Sequence, residues 1–482
     1  MQLLSATSQG DFASRGTLRC ARRFTHDAIA QTSAQFLPNA GWPKVVQDRF
    51  ALDEVPLCCA FYPANRRAFE DRRSHVVIDD AKSYFASARQ RYDLIMSEPS
   101  NPWVSGVSGL FTTEFYSRVR QYMTDDGVFG QWLHVYELDD GLVLSVLAAL
   151  HQNFRSYEIY LVPGSDLLVV ASNRPSVPAP DWSVAGLAGL RGDLCRFLPL
   201  TPTALDALHL IGRAELAPLL DTWEQPNSDF YPVLDLGAER RRFRRDMAGG
   251  FNGLSADWFN LVASIRKHRV GPMHEQQMAL PQNPRLRARV LGAFLRTPSA
   301  ELVTDQARDP EFRLPAFQWQ RWQMSIAADQ TPASWDIWVD DAGAIYRLRN
   351  EGDAGTLDDT LYNETMRFMD RHNAPAPVRD VMLFRHALGA WDFATAAATA
   401  DRLAPLVLKE RRWITGDELR DGAVIAKLQI GDVAAARRLY DALAPLSRRA
   451  PGDLRSQLLQ AYVRATPATS ATPSPRPAPR TG

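Results

Sequence analysis

Hydrophobic and polar positions change period part-way along this chain, and the change divides it. Between residues 75 and 171, short apolar runs alternate with amphipathic stretches. Tyr92-Asp93-Leu94-Ile95-Met96 reads as a buried parallel strand, and His75-Val76-Val77-Ile78-Asp79 and residues 128–134 read as strands. Residues 81–91, 112–123 and 140–153 read as helices between and after them, the second ending at an Asp125-Asp126-Gly127 turn. Residues 157–162 and 167–171 are two more strands across Pro163-Gly164-Ser165-Asp166, a hairpin whose second strand runs antiparallel. Residues 204–220 read as one helix. Beyond residue 240 the two-residue period fades, and helical stretches occupy 255–268, 283–296, 357–372, 378–389, 393–406, 415–430, 433–448 and 453–463.

Strands alternating with helices and finished by a hairpin predict an α/β fold. The form expected is an incomplete doubly wound sheet of the methyltransferase type (Rossmann-like), with an antiparallel edge strand. An α-helical region follows. There Asp392-Phe393-Ala394-Thr395-Ala396 is echoed by Asp432-Val433-Ala434-Ala435-Ala436, each shortly after a glycine and each opening an Ala-rich helix. The echo predicts stacked helical hairpins of the tetratricopeptide kind. The expected organisation is an irregular segment 1–59, an α/β domain 60–245, a helical region 246–465 and a Pro/Ser/Thr/Ala-rich disordered tail 466–482.

Charge narrows the partners. Lys+Arg and Asp+Glu are 55 each, so no global field favours nucleic acid or an anionic surface. The run Glu239-Arg240-Arg241-Arg242-Phe243-Arg244-Arg245 is either a solvated helix face or a phosphate site. Cys20, Cys58, Cys59 and Cys195 make neither a metal-ligand spacing nor a disulfide framework, which suits a reducing compartment. No apolar run is long enough to span a bilayer, and the N-terminus lacks a signal-peptide core, so a soluble cytoplasmic protein is expected.

Candidate chemistry gathers at strand tips, where open α/β sheets bind their ligands. Ser97-Glu98-Pro99-Ser100-Asn101-Pro102-Trp103 places a carboxylate, a serine and an amide after a strand, held by prolines that cannot continue a sheet. Glu98 is suited to orienting or deprotonating an attacking amine. Asn101 either bonds that amine or nucleates a turn. Asp79-Asp80-Ala81 closes a strand expected to neighbour it, and an Asp there accepts from an adenine amino group or caps the next helix. Gln131, inside a strand, is a site residue or a satisfied core amide. Asp229 and Tyr231, in Ser228-Asp229-Phe230-Tyr231-Pro232, either close over a cationic chain or order a connection. His134 and His151 have no partner at metal spacing and read as structural. No G-x-S-x-G nucleophile elbow occurs.

Asn65-Arg66-Arg67, Asp79-Asp80-Ala81, Tyr92-Asp93-Leu94-Ile95, Glu98 to Trp103, Leu110-Phe111-Thr112-Thr113-Glu114-Phe115 and Gln131-Trp132-Leu133-His134 together resemble the spermidine/spermine synthase family, in its bacterial aminopropyltransferase-like branch. The resemblance covers roughly residues 60–245 and implies transfer of an aminopropyl group from decarboxylated S-adenosylmethionine to an amine or polyamine, without a metal. By position it implies that Asp80 and Ala81 contact the adenine, that Pro102 lines the nucleoside pocket and that Glu98 replaces the catalytic Asp. Asn101 then replaces a second, acceptor-holding Asp, and Tyr231 resembles an acceptor-side tyrosine. The two replacements remove a negative charge, so a dicationic acceptor should bind less tightly.

Residues 1–59 hold no Gly-x-Gly after an apolar strand, and no acid closing a second strand. These features would supply the cofactor's close backbone approach. The domain is therefore expected to be N-terminally incomplete or misread before about residue 60, and impaired in cofactor binding. Two alternatives stand beside it: an S-adenosylmethionine-dependent methyltransferase, or a non-catalytic platform whose C-terminal helices bind a protein partner. A homodimer is compatible with each.

Overall fold

The computed structural model describes residues 45–47, 81–87, 91–99, 102, 106–162, 166–186, 201–255, 261–266, 268, 310–350, 359–450 and 452–466. They fall into two compact units, those up to His268 and those from Pro310. The expected strand at 75–79 and helix at 283–296 lie outside the described residues.

In the first unit the elements run β1 (Val45–Gln47), α1 (Ala81–Ser87), β2 (Tyr92–Ser97), α2 (Thr113–Gln121), β3 (Met123–Leu133), α3 (Asp140–His151), β4 (Ser156–Val162) and β5 (Asp166–Ser172). After them come α4 (Pro202–Leu208), β6 (His209–Gly212), α5 (Arg213–Leu220), α6 (Val233–Arg244), α7 (Gly249–Ser255) and α8 (Leu261–Arg266). One sheet has the order β1-β2-β3-β5-β4-β6. β1, β2 and β3 are parallel, whereas β5 is antiparallel to both its neighbours and β6 antiparallel to β4. This is a methyltransferase-like α/β sheet.

Three local expectations are corrected. The hairpin's second strand, β5, is reversed as expected but lies inside the sheet; the antiparallel edge is β6. Leu167, Val169 and Ala171 are fully buried, and so apolar a strand needs partners on both edges. The predicted helix 204–220 is broken by β6, whose four residues are all buried. Its apolar spacing fits a strand as well as a helix, and the sheet edge decides. Gly212 leaves room there: a Cβ would sit 2.5 Å from Glu158 Oε2, so that side chain would have to move. Finally, Asp125-Asp126-Gly127 lies within β3: the register jumps from Tyr92↔Met123 to Leu94↔Val128, leaving residues 124–127 as a bulge.

Packing joins α2 and α3 to one face of the sheet through aromatic residues. Phe129 stacks on Phe154 at 5.4 Å between centroids, with Tyr116 edge-on to both. Each such ring removes roughly 2–3 kcal/mol worth of apolar surface from water. Thr112 caps α2 by accepting from Phe115 N, and Asp139 caps α3 by accepting from Leu142 N.

Asn227 ties three segments together. Its buried Nδ2 donates to the carbonyls of Ser108 and Phe111 at 3.4 and 3.0 Å, and Oδ1 accepts from Leu234 N at 3.1 Å. Its backbone N–H donates to Ser145 O at 2.9 Å. Asn227→Ala strands these groups, so chemical denaturation should show a loss of about 2–3 kcal/mol. A loss under about 0.5 kcal/mol would contradict the role.

The second unit is helical: α9 (Pro310–Ala328), α10 (Trp335–Asn350), α11 (Asp359–Arg371), α12 (Ala376–Ala390), α13 (Phe393–Glu410), α14 (Gly416–Gln429), α15 (Val433–Leu443) and α16 (Leu454–Ala465). α12 packs on α13, α13 on α14 and α14 on α15. Both copies of the Asp echo are N-caps: Asp392 accepts from Thr395 N and Asp432 from Ala435 N, each at 3.0 Å. The sequence reading passed over α9 and α10. Pro315 interrupts the helical signal in α9, although Trp319 and Trp322 stack at 5.4 Å and are buried.

Buried ion pairs hold this unit. Arg385, 1% exposed, grips Glu418 with two donors at 2.7 and 2.9 Å. It also donates to Val339 O at 2.9 Å and Asp340 Oδ1 at 3.2 Å. No helix among the described residues is long and apolar enough to cross a membrane.

Candidate active site

β2 and β3 end side by side, with Ser97 in register with Gln131. Beyond Ser97 the chain leaves the sheet at Glu98-Pro99, and Pro99 and Pro102 are both buried. Neither proline has an N–H for a ladder, so the carboxyl end of β2 is fixed as a turn. Asp166 opens β5 opposite Val162, which brings it to the same end of the sheet. Glu98 is half-buried there. Burial pushes its carboxyl up to about 9, and the negative charge of Asp166 adds to the rise.

Ala81, the first residue of α1, is buried. Asp80 and Asn101 lie outside the described residues. Gln131 is fully buried, and its amide has three protein partners. Oε1 accepts from Tyr116 O–H at 3.4 Å, and Nε2 donates to the carbonyls of Ser97 and Trp132 at 3.3 and 3.0 Å. Register places Gln131 on the α2 face, one step out of phase with Glu98.

The loop before α6 comes back to α1. Lys82 Nζ donates to Asp229 Oδ1 at 2.6 Å, while Asp229 N donates to Glu114 Oε2 at 2.9 Å. Asp229 therefore already has a cation, next to Ala81. Tyr231 is 77% exposed and Phe230 81% exposed. His151 is used internally, between Tyr157 O–H and Asp221 at 2.9 Å each. In the arginine run, Arg241 pairs with Asp139 and Asp246, while Arg240, Arg244 and Arg245 lie on the exposed side of the helix end.

Residues 53–168 match the model of the spermine/spermidine synthase domain family, a span that holds Ala81, Glu98, Pro102, Gln131 and Asp166. This segment is similar to the spermine/spermidine synthase domain. A polyamine aminopropyltransferase of Thermoplasma volcanium is 30% identical over 96 residues, 20% of this chain and 35% of that protein. One of Aeropyrum pernix is 33% identical over 117 residues, 23% of this chain and 37% of that protein. A third, of Lachnospira eligens, is 28% identical over 118 residues, 24% and 40% of the two chains. The chain thus spans two-fifths or less of the length of these relatives.

Within the matched span, the sequence reading missed Lys82 and Asp166. Lys82 directly follows Asp79-Asp80-Ala81, so a cation beside the strand tip was visible without its partner. Asp166 read as a turn residue; only the internal place of β5 brings it to the tips. No group of three or more His, Cys, Asp or Glu side chains that could hold a metal occurs among the described residues.

Proposed function

We propose that the synthase domain moves an aminopropyl group from decarboxylated S-adenosylmethionine to an amine. The observation that carries this reading is Glu98: a half-buried carboxyl at the tip of β2, within the family-matched span. In the reaction the amine lone pair attacks the aminopropyl carbon bonded to the sulfonium. The carbon–sulfur bond breaks with its electron pair going to sulfur, methylthioadenosine leaves, and the new secondary ammonium loses a proton.

Two cations meet in such a site, and each favours the ionised form of Glu98. Substrate binding therefore draws its carboxyl down from the high value that burial imposes. Asp80 and Ala81 serve the adenine and Pro102 the nucleoside wall. Asn101 leaves the acceptor side one charge poorer, which suits a monoamine better than a dicationic polyamine. Asp229 and Tyr231 act through their loop, which Lys82 holds beside α1. The helical unit binds a protein partner.

The test is methylthioadenosine release from purified protein given decarboxylated S-adenosylmethionine and either putrescine or a monoamine. Release is expected, with the monoamine at least as good an acceptor. Turnover of S-adenosylmethionine to S-adenosylhomocysteine would instead make the domain a methyltransferase. No turnover, together with no methylthioadenosine binding by calorimetry, would make it a non-catalytic platform.

A further inference from the structure

Carried one residue past the strand ends, the register puts Glu98, His134 and Asp166 on one side of the sheet. Met96 pairs with Gly130 and Ser97 with Gln131, so Glu98 falls in step with Trp132 and, two residues on, His134. Across the antiparallel ladder Trp132 pairs with Leu168 and Leu133 with Leu167, so Asp166 falls in step with His134. Gln131 belongs to the opposite, α2-facing side.

His134 Nδ1 lies 3.2 Å from Asp166 Oδ1. Asp166 is wholly buried, and its second oxygen, Oδ2, has no partner among the described residues. The His134 side chain is 8% exposed, its ring centroid 4.8 Å from that of Tyr136. We propose that His134, oriented by Asp166, is the group that accepts the proton from the amine acceptor, while Glu98 holds that amine in place. This rests on the aminopropyl-transfer reading.

The chemistry follows from the pair. A carboxylate at Nδ1 keeps the proton on that nitrogen and leaves Nε2 with its lone pair. A buried carboxylate with an idle oxygen is costly, and an imidazolium beside it supplies the missing positive charge. Taking a proton at Nε2 therefore turns a lone buried anion into an ion pair. Glu98, ionised beside the bound cations, is taken up as the counter-charge that holds the amine. In the step, the nitrogen–carbon bond forms, the carbon–sulfur bond breaks with its pair moving to sulfur, and the amine N–H proton passes to His134 Nε2.

The experiment compares wild type with His134→Gln and Asp166→Asn in methylthioadenosine release and methylthioadenosine binding. His134→Gln should lower kcat about 10²–10³-fold and abolish the acid limb of its pH profile. KM for decarboxylated S-adenosylmethionine and methylthioadenosine affinity should stay within about two-fold, which a merely structural role would not allow. Asp166→Asn should lower kcat in the same direction, since the ring loses the carboxylate that orients it and the imidazolium its counter-charge. Near-normal kcat in His134→Gln overturns the proposal and leaves the transfer reading standing. An inactive wild type sinks the transfer reading instead. Should the variants fail to fold, the wild-type imidazole is followed by NMR with methylthioadenosine bound. Added putrescine should shift its ring resonances by bringing an amine to Nε2; unmoved resonances overturn the proposal.

Discussion

Arg385→Met is expected to destabilise the helical unit by about 3–5 kcal/mol, the cost of leaving the buried Glu418 carboxylate with Arg347 alone. Burial alone would raise the Glu418 carboxyl, but Arg385 and Arg347 outweigh it and hold the group at about 2. A carboxylate with a depressed folded value stabilises above its ordinary value of 4.5 and loses that contribution as pH falls toward 2. The damage from Arg385→Met should therefore be largest near neutral pH and shrink in acid. Hydrogen exchange of the α12 and α14 amides in the full chain would read it directly. Gly343→Ala should act in the same direction, because a Cβ there would lie 2.0 Å from Arg385 Nη1, which is already tied to Val339 O. The exposed Arg402–Asp380 pair is the control: Arg402→Met should cost under about 1 kcal/mol. Equal losses from Arg385 and Arg402 would refute the distinction between buried and exposed pairs.

Glu98→Gln should make the α/β unit more stable in alkali and, at the same time, reduce the proposed transfer by about 10²-fold or more. The stability half follows from linkage. The folded protein keeps a proton on Glu98 up to about 9, whereas the unfolded chain releases it near 4.5. Stability from this group is complete below the lower value and is lost as pH rises through the higher one. Glutamine cannot ionise, so the variant avoids that loss. Thermal melts should coincide at pH 4 and separate at pH 9, with the variant ahead by about 2 kcal/mol after allowance for solvent screening. Parallel curves at all pH values would show that Glu98 is not desolvated. Loss of transfer without the alkaline gain would make its part purely chemical.

The two readouts separate roles that coincide at one residue. A stabilising substitution that removes activity is the mark of a group kept in an unfavourable state for function. Asn227→Ala should do the reverse, lowering stability through bonds to Ser108, Phe111 and Leu234 while leaving Glu98 chemistry in place.

Much of the fold was legible locally. The apolar run of β2, the hairpin of β4 and β5 and the helix starts at Asp392 and Asp432 depend on neighbouring residues, and all are present. Where reading failed, two outcomes had similar local support. His209-Leu210-Ile211-Gly212 suits helix or strand until β4 offers an edge. Residues 124–127 carry turn chemistry that β2 converts into a bulge. The candidate site divides the same way. Glu98 was visible because prolines bracket a strand end. Asp166 was not, because its role depends on which strands flank β5.

Sequence alone determined β2, the β4–β5 hairpin, the helix starts at Asp392 and Asp432, and the carboxyl that follows β2. Each rests on interactions within a few residues, which periodicity and capping chemistry encode. Tertiary structure decided the strand order, the face on which Gln131 is spent, the pairing of His134 with Asp166 and the protonation of Glu98. Those depend on register, burial and charge brought from distant segments, and no local pattern along the chain carries that information.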